Sequence, residues 1–175
     1  WAFPAMDVEK PLPIRADLVL AQGGRPVAAV VAPGSGVCRQ KAGELIEAVR
    51  GRFGAALDLQ DGDRAGLALL QSQDVVLFGG SHEGRFAMDL ALRYQAGFVD
   101  ATTPGEDGWV VTTHAGMDGS GHNVLRVASS PSCAGEAMGC ALERLEAEGD
   151  RVLIRPVHRI RQGREMREHF PSWEA

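Results

Sequence analysis

The feature that most constrains this chain is a strand-turn-helix unit. Val75-Val76-Leu77-Phe78 is a short, continuously apolar run that passes through Gly79-Gly80-Ser81 into a helix-period segment. A strand with no polar alternation is expected where both faces of a sheet are covered. The residues that follow, Phe86, Ala87, Leu90, Ala91 and Tyr94, recur at helical spacing and predict one buried stripe. In this reading Ser81 is the N-cap and Glu83 lies in the first turn. A helix packed on a strand covered on both sides requires further layers, so the rest of the chain must supply them.

It does so with the same alphabet. Leu18-Val19-Leu20 and Val27 to Val31 flank Gly23-Gly24 and predict a hairpin. Ala42, Leu45, Ile46, Val49 and Phe53 predict a helix over about 38–52, stopped by Gly54. A weak strand is expected around Leu67 to Leu70. Trp109 to Thr113 and Asn123 to Ala128 read as an antiparallel hairpin with a long polar tip. Ser130-Pro131-Ser132 opens a third helix with the stripe Ala134, Met138, Ala141, Leu142 and Leu145, ended by Gly149, before a last strand at Val152-Leu153-Ile154. The expected fold class is α/β (α+β): a mixed β-sheet containing an antiparallel hairpin, with about three packed helices. Residues 1–16 are an extended, proline-bearing lead-in, 17–155 a single domain, and 156–175 a charged tail or linker to a further domain. The chain begins at Trp1, so the expectation is that a leader or more protein precedes it.

Composition excludes several classes. The 175 residues, 45% apolar and 23% charged, suit one folded domain rather than a disordered chain. A net charge of -5 argues against nucleic acid as a partner, despite six arginines between Arg151 and Arg167. No apolar run approaches a membrane span. Cys38, Cys133 and Cys140 have neither disulfide nor zinc spacing, since Cys133 and Cys140 would sit two helical turns, about 10 Å, apart.

No catalytic group or cofactor site stands out. The Gly79-Gly80 turn lacks a full G-x-G-x-x-G and a P-loop lysine, and Glu83 would repel an anion. His114 and His122 flank the hairpin tip with Asp118 nearby, but a third metal ligand is not indicated by spacing. Ser81-His82 and Ser132-Cys133 lack a nucleophile elbow. The acidic pairs Asp58 and Asp61, and Glu106 and Asp107, sit in polar loops and read as surface acids. Trp109 opens a strand, where an aromatic packs inward, although an exposed tryptophan can stack on a sugar. Trp109, His114 and His122 are therefore the candidates for glycan or interface contact.

Three stretches carry a family likeness: Val27 to Val31 with its helix to Phe53; Asp74 to Phe78 with Gly79-Gly80-Ser81; and Asp107-Gly108-Trp109-Val110-Val111, Asn123 to Ala128 and the helix with Gly135, Gly139, Leu142 and Leu145. Over about residues 17–148 the chain resembles the small α/β domain that precedes the catalytic barrel in α-glucuronidases and β-N-acetylhexosaminidases, and related modular polysaccharide-degrading proteins. One departure is Ser129-Ser130, where that family often has glycine. The resemblance implies a non-catalytic accessory module whose partner is the catalytic domain of the same parent protein and whose environment is secreted or periplasmic. It carries over no active-site residue and no cofactor. It also suggests that Gly135 and Gly139 let the third helix lie close to the sheet. The alternatives are a small independent enzyme that binds nucleotides or sugar phosphates, motivated by the glycine turn, and a structural protein that pairs with itself through a strand edge.

Overall fold

The computed structural model describes residues 17–94, 104–116 and 119–164. The fold is mixed α/β, with two sheets and three α-helices among the described residues. In chain order the strands are β1 (Leu18–Gln22), β2 (Arg25–Pro26), β3 (Ala28–Ala32), β4 (Asp58–Asp61), β5 (Asp74–Phe78), β6 (Trp109–His114), β7 (Val124–Ser129), β8 (Leu145–Glu148), β9 (Arg151–Ile154) and β10 (His158–Arg161). The helices are α1 (Gly36–Phe53), α2 (Arg85–Tyr94) and α3 (Ala134–Leu142). The large sheet runs β10-β6-β7-β5-β3-β4 and the small one β2-β1-β9-β8.

Within the large sheet β4, β3, β5 and β7 are parallel, while β6 is antiparallel to β7 and β10 antiparallel to β6. Every residue of β3 and β5 is buried, which explains their unbroken apolar sequences. Successive side chains alternate between two cores. Val30, Ala32, Val76 and Phe78 join α1, α3 and the small sheet on one face. Val31, Val75 and Leu77 join Phe86, Ala87 and Leu90 of α2 on the other. Two helices and the small sheet thus cover one face, and α2 covers its opposite.

Several expectations hold. α1 spans slightly more than anticipated and ends at Gly54, which adopts the left-handed φ of 73°. Strand β5 and the β6–β7 hairpin form where the apolar runs placed them.

Others need correction. The Gly23-Gly24 turn does close a hairpin, but only onto two-residue β2; Ala28 onward crosses into the large sheet as β3. Leu67–Gln71 is a 3-10 turn rather than a strand, because three leucines in five residues bury just Leu70. Polar β4 is a strand with no apolar signature. α3 stops at Leu142, and the Glu-rich segment that follows is β8, held by its antiparallel pairing with β9. The region expected to be a tail from 156 supplies edge strand β10, paired with β6. Gly135 and Gly139 face open space, with nothing within 4 Å of a Cβ at either. Close packing of α3 comes instead from buried Ala134, Ala137, Met138 and Ala141. Tyr94's side chain, residues 1–16 and Asp118 lie outside the described residues.

Candidate functional site: a crevice at the strand ends

β5 and β7 are parallel neighbours, and their chains leave the sheet in opposite directions. β5 leads to α2 on one face, whereas β7 leads through a short 3-10 turn (Pro131–Cys133) to α3 on the other. Diverging loops leave a gap beyond the carboxyl ends of the strands, where open α/β sheets commonly hold ligands. A cavity of about 430 Å³ lies there, between the Gly80–Glu83 turn, the 104–106 loop and the start of the 128–131 connection.

The Gly79–Gly84 turn is built internally and from below. Gly79 has φ 109°, open to glycine and strained for other residues. The Glu83 carboxylate accepts the Gly80 N–H at 2.5 Å. Ser81 is not the helix N-cap; it is fully buried and its Oγ accepts from Arg126 Nη2 at 2.9 Å. The first helical N–H, that of Arg85, is met by Asp63 Oδ1 at 3.1 Å, and Phe86 N–H by the Gly62 carbonyl at 2.8 Å. The α2 start is therefore capped from a distant loop, which local sequence does not announce.

Arg126 is the residue that sequence reasoning missed as a special position. It is fully buried at the centre of β7, paired with Leu77 on one side and Thr112 on the other. Burial lowers its pKa to about 10, partly opposed by the Glu83 carboxylate. The available signal was a charge inside Val124-Leu125-Arg126-Val127-Ala128, a run otherwise suited to a strand covered on both faces. Cys38 lies 3.8 Å from both Glu83 oxygens. Burial first, and then that carboxylate, push its thiol up to about 12, which keeps it protonated and unreactive.

The opposite wall of the crevice is equally fixed. The Pro104 carbonyl accepts Gly163 N–H at 2.7 Å, and the Gly108 carbonyl accepts Ser130 N–H at 3.0 Å. The Asp107-Gly108-Trp109 motif now has a physical basis. Asp107 takes a left-handed φ of 60° and accepts from the Ser132 hydroxyl at 2.9 Å. A Cβ on Gly108 would stand 2.7 Å from the Pro104 carbonyl oxygen, so only glycine fits.

The three sequence candidates do not converge. Trp109 is half-buried at the crevice end of β6, packed on the α1–α3 core, with its Nε1 donating to Glu136 at 3.2 Å. His114 ends the same strand five residues later, roughly 17 Å away by strand rise. Its Nε2 is buried with no hydrogen-bond partner among the described residues, and burial, then Arg126, then His158 hold its pKa below the usual value. His122 lies beside a second hollow at the amino ends of the strands, its Nδ1 3.4 Å from Asp74 Oδ1. Near the hairpin tip the Gly116 N–H donates to the His122 carbonyl at 3.2 Å, while His114 pairs across the hairpin with Val124. Of the acidic pairs, Asp58 and Asp61 bound the edge strand β4, and Glu106 borders the crevice while Asp107 shapes its wall.

No family model and no curated protein matches this chain. Among the described residues no three His, Cys, Asp or Glu side chains group as a metal site, and no helix is long and apolar enough to cross a membrane.

Proposed function

We propose that this domain is a non-catalytic accessory module of a larger carbohydrate-active enzyme, packing against the catalytic domain of the same parent protein and following it to a secreted or periplasmic location. The observation that carries the reading is how the fold spends its buried polar side chains, which are Asp74, Ser81, Thr112, Asn123 and Arg126 among the described residues. Asp74 accepts the N–H groups of Val19 at 2.7 Å and Asn123 at 2.8 Å. Asn123 accepts from Gly116 N–H at 3.1 Å and donates to the Asp17 carbonyl at 2.8 Å. Arg126 donates to Ser81, and Thr112 bonds His158 at 2.8 Å. Each of these groups ties one segment of the chain to another. Groups so committed are poor proton carriers for chemistry, which suits a scaffold. The likeness to accessory domains of α-glucuronidases and β-N-acetylhexosaminidases supplies the parent class.

Incubating the purified chain with a panel of aryl glycosides, aryl uronides and polysaccharides tests this. No release of sugar above the buffer rate is expected, and turnover that disappears on Glu83→Gln or Glu106→Gln would refute the scaffold reading. The full reading frame is the companion observation, with a catalytic barrel in the same polypeptide as the expected result.

A small nucleotide- or sugar-phosphate-binding enzyme is the second reading, favoured by the crevice at the carboxyl ends of parallel strands. Against it, Glu83 occupies the Gly80 N–H that a phosphate would need and places a negative charge there. Calorimetry with nucleotides and sugar phosphates should give no heat of binding.

A further inference from the structure

We propose that the crevice beyond β5 and β7 is a binding site for a saccharide unit that carries no acidic group, either a neutral sugar or an amino sugar. This goes further than the scaffold reading and rests on it only for the class of probe. The first support is place. The cavity arises where the loops after neighbouring strands β5 and β7 diverge to opposite faces of one sheet, with the 104–106 loop closing its other side. Its volume of about 430 Å³ falls in the lower part of the range for small-molecule pockets.

The second support is chemistry. Glu106 and Glu83 line the cavity, and carboxylate oxygens are acceptors for sugar hydroxyls or an ammonium group. One Glu83 oxygen already holds the Gly80 N–H, which leaves exposed Glu106 as the main acceptor, and His82 adds a further polar group. Exposed Pro131 offers apolar surface for the C–H face of a pyranose ring. No Lys or Arg lines the cavity among the described residues, and the one turn N–H aimed for an anion, that of Gly80, is already held by Glu83. Two carboxylates and no cation disfavour a uronate or a phosphate through like-charge repulsion.

The third support is rigidity. The wall at 104–108 is locked to Gly163 and Ser130 by main-chain hydrogen bonds, and a Cβ on Gly163 would collide with the Glu106 carbonyl. A site fixed before binding loses less entropy when occupied.

The test is an NMR titration of the isotope-labelled chain with N-acetylglucosamine, glucosamine, xylose, glucuronate and glucose 6-phosphate. Saturable shifts of the Gly80, Gly105, Ser129 and Ser130 amides are expected with at least one neutral or amino sugar, and binding of the two acidic sugars should be about tenfold weaker or worse. Glu106 is exposed, so Glu106→Gln should leave the spectrum folded while weakening the bound sugar by about three- to tenfold. It should also narrow the discrimination against glucuronate. Equal or tighter binding of the acidic sugars, no saturable shift at those amides, or an unchanged affinity in Glu106→Gln would each overturn the proposal. None of those outcomes bears on the turnover assay, so the scaffold reading stands or falls separately.

Discussion

At the scale of single residues, Asp74, Gly108 and His114 show how much can depend on one side chain. Asp74→Ala would strand a part-buried and a buried main-chain N–H, those of Val19 and Asn123, and should cost about 3 kcal/mol in urea unfolding. Gly108→Ala would press a methyl group onto two carbonyl oxygens, at 2.7 and 2.9 Å, and should lose about 3 kcal/mol by the same measurement. For His114 the sign follows from its depressed pKa. The unfolded chain takes up the proton near the ordinary value of 6.5, whereas the folded chain resists it beside Arg126 and His158. Stability from this group is present above about 6.5 and lost as pH falls below it, and His114→Gln should flatten that decline in thermal melts taken between pH 7.5 and 5. Of these residues, Gly108 was legible as part of a D-G-aromatic motif and Asp74 as the lead into an apolar strand. Neither role was legible, because each depends on partners up to 55 positions away, as with Val19 and Asp74.

Elements were readable where local pattern and tertiary demand agree. α1, β5 and the β6–β7 hairpin carry strong periodicity and lie where their apolar faces require. Failures occur where pairing overrides propensity. Leu145-Glu146-Ala147-Glu148 has the composition of a helix, yet only Leu145 is buried and antiparallel pairing with β9 makes it a strand. Conversely, the apolar run after Gly66 was too short to distinguish strand from turn. The glycines of α3 make a direct test of the corrected packing. With nothing within 4 Å of either position, Gly135→Ala and Gly139→Ala should each stabilise the protein by up to about 1 kcal/mol in chemical denaturation. If the helix instead lay on the sheet through these glycines, both changes would destabilise it. The crevice itself was half visible: its glycine turn stands out in sequence, but the opposite courses of α2 and α3 do not.

For the whole molecule, the decisive departure from the sequence reading is that β10 belongs to the sheet. Deleting residues from 156 onward would uncover the edge of β6 from Trp109 to Thr112, so the truncated chain should melt lower and associate in light scattering, whereas removal of a mere linker would change neither. β10 itself carries His158, Arg159 and Arg161 beside a half-exposed Ile160, and such charges discourage edge-to-edge association of the intact chain. The small sheet brings a different constraint. β1, at the start of the domain, has two-residue β2 as a local partner and makes its longer pairing with β9, with Leu18 opposite Ile154 and Asp17 bonded to Arg155 at 3.2 Å across 138 positions. A nascent chain leaving the ribosome therefore holds one edge of its first strand open until β9 has emerged. Completion of the small sheet waits until β9 has emerged, and the apolar residues Leu18 and Leu20 must be kept from other company until then.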